Sequence, residues 1–155
     1  MSRRSDLEKL VPHKGKMLLL DRVTKYDLEN VEIETQVDID ESCMFYDENL
    51  GGVPVWISFE YMAQSISALS GIYGISKGEK PKVGFIMSVS GFNAHVPVFK
   101  KGDVVTIRAR ETIRMDAAFT FEGWAFVGDS ACGTLAADGV LNTVEVPDPK
   151  AALGL

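Results

Sequence analysis

Gly51–Gly74, GGVPVWISFEYMAQSISALSGIYG, is the stretch whose reading decides the fold. Pro54 suits the first position of a helix. Phe59, Met62, Ala63, Ile66, Leu69, Ser70 and Tyr73 then recur at the three-and-four spacing of one buried face. The other positions are small, among them Ser65, Ser67, Ala68 and Gly71, and Glu60 is the only charged residue from Val55 to Ser76. A surface helix of about five turns carries several charges on its solvent face. This one is therefore expected to be covered on most sides, with small side chains letting surrounding backbone come close. Gly74 and the Lys77-Gly78-Glu79-Lys80-Pro81 cluster end it.

Outward from the helix, the sequence reads as strand. Met17 to Lys25, MLLLDRVTK, is an apolar run, and Val31 to Ile39 alternates Val31, Ile33, Thr35, Val37 and Ile39 against polar residues. Tyr26-Asp27-Leu28-Glu29-Asn30 joins the two as a hairpin. Ahead of them, Ser5 can cap a short helix over about 5–11 that Pro12 stops, with Glu8 as its capping-box partner. Asp40 to Gly52 has no sustained period. After the helix come four strands: Val83 to Val96, Val104 to Arg114, Ala117 to Val127 and Ala131 to Val144. The third carries bulk at both parities, which predicts burial of both its faces. The tail from about 147 is expected to be loose. Two strands, a long apolar helix and four strands predict an α+β chain of one domain over 1–155. In it, a curved antiparallel sheet of about five to six strands wraps the central helix, the hotdog arrangement. An edge strand left open by such a sheet is covered by pairing with a second copy, so a dimer is expected.

Composition narrows the function. The 155 residues carry a net charge of −6, which excludes the basic surface that nucleic acid requires. No apolar run reaches the ~18 residues of a membrane span, and the N-terminal MSRRSDLEKL lacks the apolar core of a secretory signal. Cys43 and Cys132 follow no metal-ligand or redox spacing and read as free thiols in a reducing compartment. The expectation is a cytoplasmic protein with no metal and no cofactor.

Two stretches resemble the bacterial 3-hydroxyacyl-(acyl-carrier-protein) dehydratases, which are hotdog proteins. Leu10-Val11-Pro12-His13-Lys14-Gly15-Lys16-Met17-Leu18-Leu19-Leu20-Asp21-Arg22-Val23 is similar to that family's LPHR-x-P-x-LL-x-DRV opening. Pro54 followed by Glu60-Tyr61-Met62-Ala63-Gln64 is similar to the start of its central helix, PG-x-x-x-x-E-x-x-x-Q. With Val-Pro-x-Trp ahead of it, the Glu-Tyr-Met-Ala-Gln form looks closer still to a dehydratase-like branch associated with aryl-polyene pigment clusters. The resemblance implies a thioester substrate on an acyl carrier protein or on CoA. It also implies a homodimer or higher oligomer, or a heteromer with a histidine-bearing dehydratase. One departure stands out. The family's catalytic histidine, in an HFPG motif, precedes the helix glutamate by fourteen positions, and here that position is Tyr46. A phenol, with a pKa of about 10, is a poor base at neutral pH.

The candidate residues follow. Glu60 is either ion-paired to an arginine such as Arg108 or Arg110, or is a general acid or base facing an acyl tunnel. Gln64, one turn later, either orients that carboxylate or caps the backbone of a neighbouring strand. His13 matches a family histidine that is not the catalytic one and reads as a structural hydrogen-bonder with a possible substrate role. His95, on the strand after the helix, is the first replacement to consider for the missing base. Gly51 and Gly52 either bring a backbone amide to a thioester carbonyl or only permit the turn into the helix, and Tyr46 would line the substrate site. The lysines at 77, 80, 82, 100 and 101 read as a solvated face that could dock an acidic carrier. A hotdog acyl thioesterase, using a helix carboxylate without histidine, is the alternative enzyme. A non-catalytic acyl-binding or helper subunit is the third reading.

Overall fold

The computed structural model describes residues 4–11, 15–78 and 83–146. Six strands form one antiparallel sheet: β1 (Arg22–Asp27), β2 (Glu32–Asp38), β4 (Val83–Ala94), β6 (Val104–Met115), β7 (Ala118–Val127) and β8 (Thr134–Val146), in the order β1-β2-β6-β7-β8-β4. Two three-residue strands, β3 (Gly52–Pro54) and β5 (Val98–Lys100), make a separate ladder at the start of the long helix. That helix, α2 (Ser58–Ser76), lies against the concave face of the sheet, and α1 (Arg4–Leu10) packs on α2. This is the expected hotdog arrangement, with the short β3–β5 ladder added.

Alternation places the core. Ile33, Thr35 and Val37 of β2, Val105, Ile107 and Ala109 of β6, Phe119, Phe121 and Ala125 of β7, and Ala137 and Leu141 of β8 are buried under the helix. Gly123 is one place where closeness is decided, since a Cβ there would lie 2.6 Å from Met62 Sδ. Gly71 is another, where a Cβ would lie 2.3 Å from the Leu10 carbonyl oxygen of α1. The helix's two buried serine hydroxyls are satisfied. Ser65 Oγ donates to the Tyr61 carbonyl (2.7 Å) and meets Thr35 Oγ1 at 2.8 Å, while Ser58 Oγ donates to the Val55 carbonyl at 2.6 Å. Small polar residues can therefore be buried without an unpaired group.

Four expectations are corrected. Met17 to Asp21 is not strand. Leu18 and Leu20 are buried, but 15–17 form a 3-10 turn and pairing with β2 begins only at Arg22. That run is apolar because it is packed beneath the helix, not because it is pleated. The α-helix begins at Ser58, after a 3-10 turn over Val55–Ile57, because Pro54 still belongs to β3. Its buried side is turned toward Tyr61, Gln64, Ser65 and Ala68, leaving Tyr73 49% exposed. Apolar periodicity alone placed that arc wrongly, because buried Ser and Gln side chains carry part of it. Finally, β7 buries only one face. On the convex side, Trp124 is half-exposed, with the guanidinium groups of Arg108 and Arg110 at 5.8 and 5.7 Å from its ring centre.

Candidate functional site

Glu60 sits in the first turn of α2, half-buried, on the least covered stripe of the helix, with Phe59, Ala63, Ser67 and Ser70. Trp56, 55% exposed, stacks on Phe59, the residue before Glu60, with ring centres 6.5 Å apart. Glu60 makes no hydrogen bond or ion pair to another described residue. The arginines that could have neutralised it lie on the other side of the sheet, Arg108 being hydrogen-bonded to Glu32. A carboxylate left open at the positive end of a helix, beside aromatic rings, can accept or deliver a proton to a bound ligand.

The structure does not gather the other candidates around it. Gln64 is 1% exposed: its amide donates to the Met17 carbonyl and accepts from the Leu19 amide, both at 2.8 Å. It thus clamps the 17–19 backbone, which is a turn and not the neighbouring strand expected. The Gly51 and Gly52 amides both point at the Asp47 carbonyl, at 2.9 and 3.3 Å. Gly51 has φ +69°, the left-handed region that favours glycine, and a Cβ on Gly52 would lie 1.9 Å from the Phe99 carbonyl oxygen. The pair therefore builds the turn into β3. Tyr46 is half-buried against the core, its amide bonded to the Cys43 carbonyl. His13 lies outside the described residues.

His95 is at the corner after β4. Its ring meets Asp138 Oδ2 at 2.9 Å, and Asn93 Nδ2 donates to Oδ1 of the same carboxylate at 2.9 Å. These two bonds, Asn93's first, hold the Asp138 carboxyl below its usual range. Asp138 alternates with the buried Ala137 and Gly139, so it projects from the convex face. Within one chain, His95 is therefore across the sheet from Glu60. Sequence reading missed Asp138 as its partner. The pairing depends on a bulge between Ser90 and Asn93, where Gly91 has φ +61°, and no pattern in the sequence fixes that register.

A cavity of about 500 Å³ opens on the other flank of the helix start, lined by Leu18, Leu19, Asp21, Val37, Cys43 and Tyr61, with Glu60 not among its walls. Burial is the main cause that pushes the Tyr61 phenol well above its usual range, so it stays protonated. Among the described residues no cluster of three His, Cys, Asp or Glu side chains could hold a metal, and no helix is long and apolar enough to cross a membrane.

A long helix wrapped by a six-stranded antiparallel sheet defines a hotdog protein. The chain belongs to the ApeP-like family, described as ApeP dehydratase, whose model it matches over residues 5–154. It is 26% identical over 144 residues to the 3-hydroxyacyl-(acyl-carrier-protein) dehydratase FabZ of Chlamydia trachomatis, covering 91% of this chain and 90% of that one. Among solved structures it is similar to the dehydratase heterocomplex ApeI:P from Xenorhabdus doucetiae, with a TM-score of 0.83, 26% identity and coverage of 96% and 95%. A hypothetical thioesterase with coenzyme A from Streptococcus pneumoniae shares the fold at a TM-score of 0.62 and 12% identity, covering 82% and 86%.

Proposed function

We propose that this chain is the carboxylate-bearing subunit of a heteromeric dehydratase acting on 3-hydroxyacyl thioesters held by an acyl carrier protein, or by CoA. One observation carries the reading: Glu60 stands open on the helix with no bond to another described residue, and the one described histidine, His95, is across the sheet on Asp138. In the reaction a base takes the proton alpha to the thioester carbonyl, and electrons move to form the C2–C3 double bond. Glu60 gives a proton to the departing 3-hydroxyl, which leaves as water. A histidine of a partner subunit is the base. The partner reaches the site along β4, which in this chain is hydrogen-bonded to β8 only and leaves its other edge free. The donor to the enolate oxygen also comes from the assembled site, since the Gly51 and Gly52 amides face Asp47. The reaction belongs to fatty-acid or polyene-type synthesis in the cytoplasm.

The test is to mix the chain with a histidine-bearing dehydratase and follow enoyl absorbance from a 3-hydroxyacyl thioester. Turnover should need both chains and should fall about 100-fold or more in Glu60→Gln. Turnover unchanged by Glu60→Gln refutes the role of Glu60. The thioesterase alternative keeps one observation in its favour, since a lone helix carboxylate open to solvent can also activate water. Release of free acid without an enoyl signal decides for it.

A further inference from the structure

The 94–97 corner joins two parts of the fold. On one side it is fastened to β8: the His95 amide donates to the Ala136 carbonyl at 2.7 Å, and its ring is held by Asp138 at 2.9 Å. Asp138 is itself held by Asn93, whose Nδ2 also donates to the Gly91 carbonyl at 2.7 Å. On the other side, Pro97 offers its carbonyl to the Val55 amide at 3.1 Å, and Val98–Lys100 pairs with Gly52–Pro54. Val55 opens the 3-10 turn, which includes Trp56 and runs directly into α2, whose first turn holds Phe59 and Glu60. The start of the helix is thus seated on a corner whose own position is fixed from the far face of the sheet.

We infer that the Asn93–Asp138–His95 network is a positioning device for Glu60, acting through Pro97 and Val55 and not by contact with substrate. The inference rests on the dehydratase reading for its catalytic consequence, though not for its mechanical one. The physical reason lies in the small ladder. Three residue pairs between β3 and β5 are a short patch of sheet, too small to hold a fixed place unaided. A side-chain network that pins the corner restricts where the helix start can sit, and small displacements of a proton-transferring group are costly in rate.

The experiment has two arms. In the first, amide hydrogen exchange of the full chain is followed by NMR. His95→Ala and Asp138→Ala should each speed exchange of the Val55 amide about tenfold, the equivalent of one lost hydrogen bond. The double variant should add little, and His95→Gln, which can still donate to Asp138, should restore protection. Ser88→Ala, which breaks the convex-face bond from Asn142 Nδ2 (2.9 Å), should leave Val55 unchanged. In the second arm, the chain assembled with its histidine-bearing partner should lose kcat roughly three- to tenfold in His95→Ala with KM steady. Unchanged Val55 exchange overturns the proposal whatever the activity. Faster exchange with full kcat also overturns it, leaving the dehydratase reading intact. A chain that turns nothing over is still judged by the first arm, so the two failures are told apart.

Discussion

Replacing Gln64 with leucine separates a clamp from an orienting group. The two side chains are similar in size, so packing is largely kept. The loss is polar: the Met17 carbonyl and the Leu19 amide each lose a 2.8 Å bond in a buried place. Each such orphaned group costs about 1–3 kcal/mol, partly offset by the apolar transfer gain of leucine, for a net of about 2–4 kcal/mol. For a chain of this size that lowers Tm by roughly 4–15 °C. Thermal unfolding followed by circular dichroism measures it, beside Glu60→Gln. Glu60 has no described partner, so Glu60→Gln should change stability by less than about 0.5 kcal/mol. The two residues, four apart on one helix, are thus predicted to behave oppositely: one carries stability, the other activity. A Gln64→Leu melting temperature within about 1 °C of the parent refutes the clamp.

Further outcomes follow from the same geometry. Gly52→Ala puts a Cβ 1.9 Å from the Phe99 carbonyl oxygen, a backbone atom that cannot yield without moving the ladder; it should cost about 3 kcal/mol or more, read as a collapsed denaturant midpoint. Gly51→Ala meets nothing within 4 Å but is held at φ +69°, so its cost should be only about 1 kcal/mol. Arg22 donates to both oxygens of Asp38, at 2.7 and 2.8 Å, and these bonds hold that carboxyl below its usual range. A depressed carboxyl contributes stability that is present above its unfolded value, about 3.9, and is lost as pH falls through the folded value. Arg22→Leu should therefore lower Tm at pH 7, and its gap to the parent should narrow as pH falls below about 3.9. A gap independent of pH refutes the pairing as its source. The effect should be small, because both side chains are partly solvated.

The central helix, the four long strands after it and the second strand were legible because each rests on a local period. Alternation along Ile33, Thr35 and Val37, or along Val105, Ile107 and Ala109, has one solution once a single face is buried. The first strand was misread because MLLLD is apolar for a reason that periodicity cannot express: Leu18 and Leu20 are buried while the Met17 carbonyl and Leu19 amide beside them are held by Gln64, a residue more than forty positions away. The β3–β5 ladder was invisible because three-residue strands carry no period.

Residue chemistry by itself determined that Glu60 is the one carboxylate on an otherwise uncharged helix, and the resemblance to the dehydratases placed Tyr46 at the position where that family is expected to carry histidine. The first depends only on which side chains occur at which spacing. The tertiary structure decided which of the candidates face each other. A glycine bulge at Gly91 sets the register that carries His95 to Asp138 on the convex face, and a distant backbone segment takes up both ends of the Gln64 amide. Such partnerships are made between groups brought together only when the sheet curls around the helix, so spacing along the chain holds no record of them.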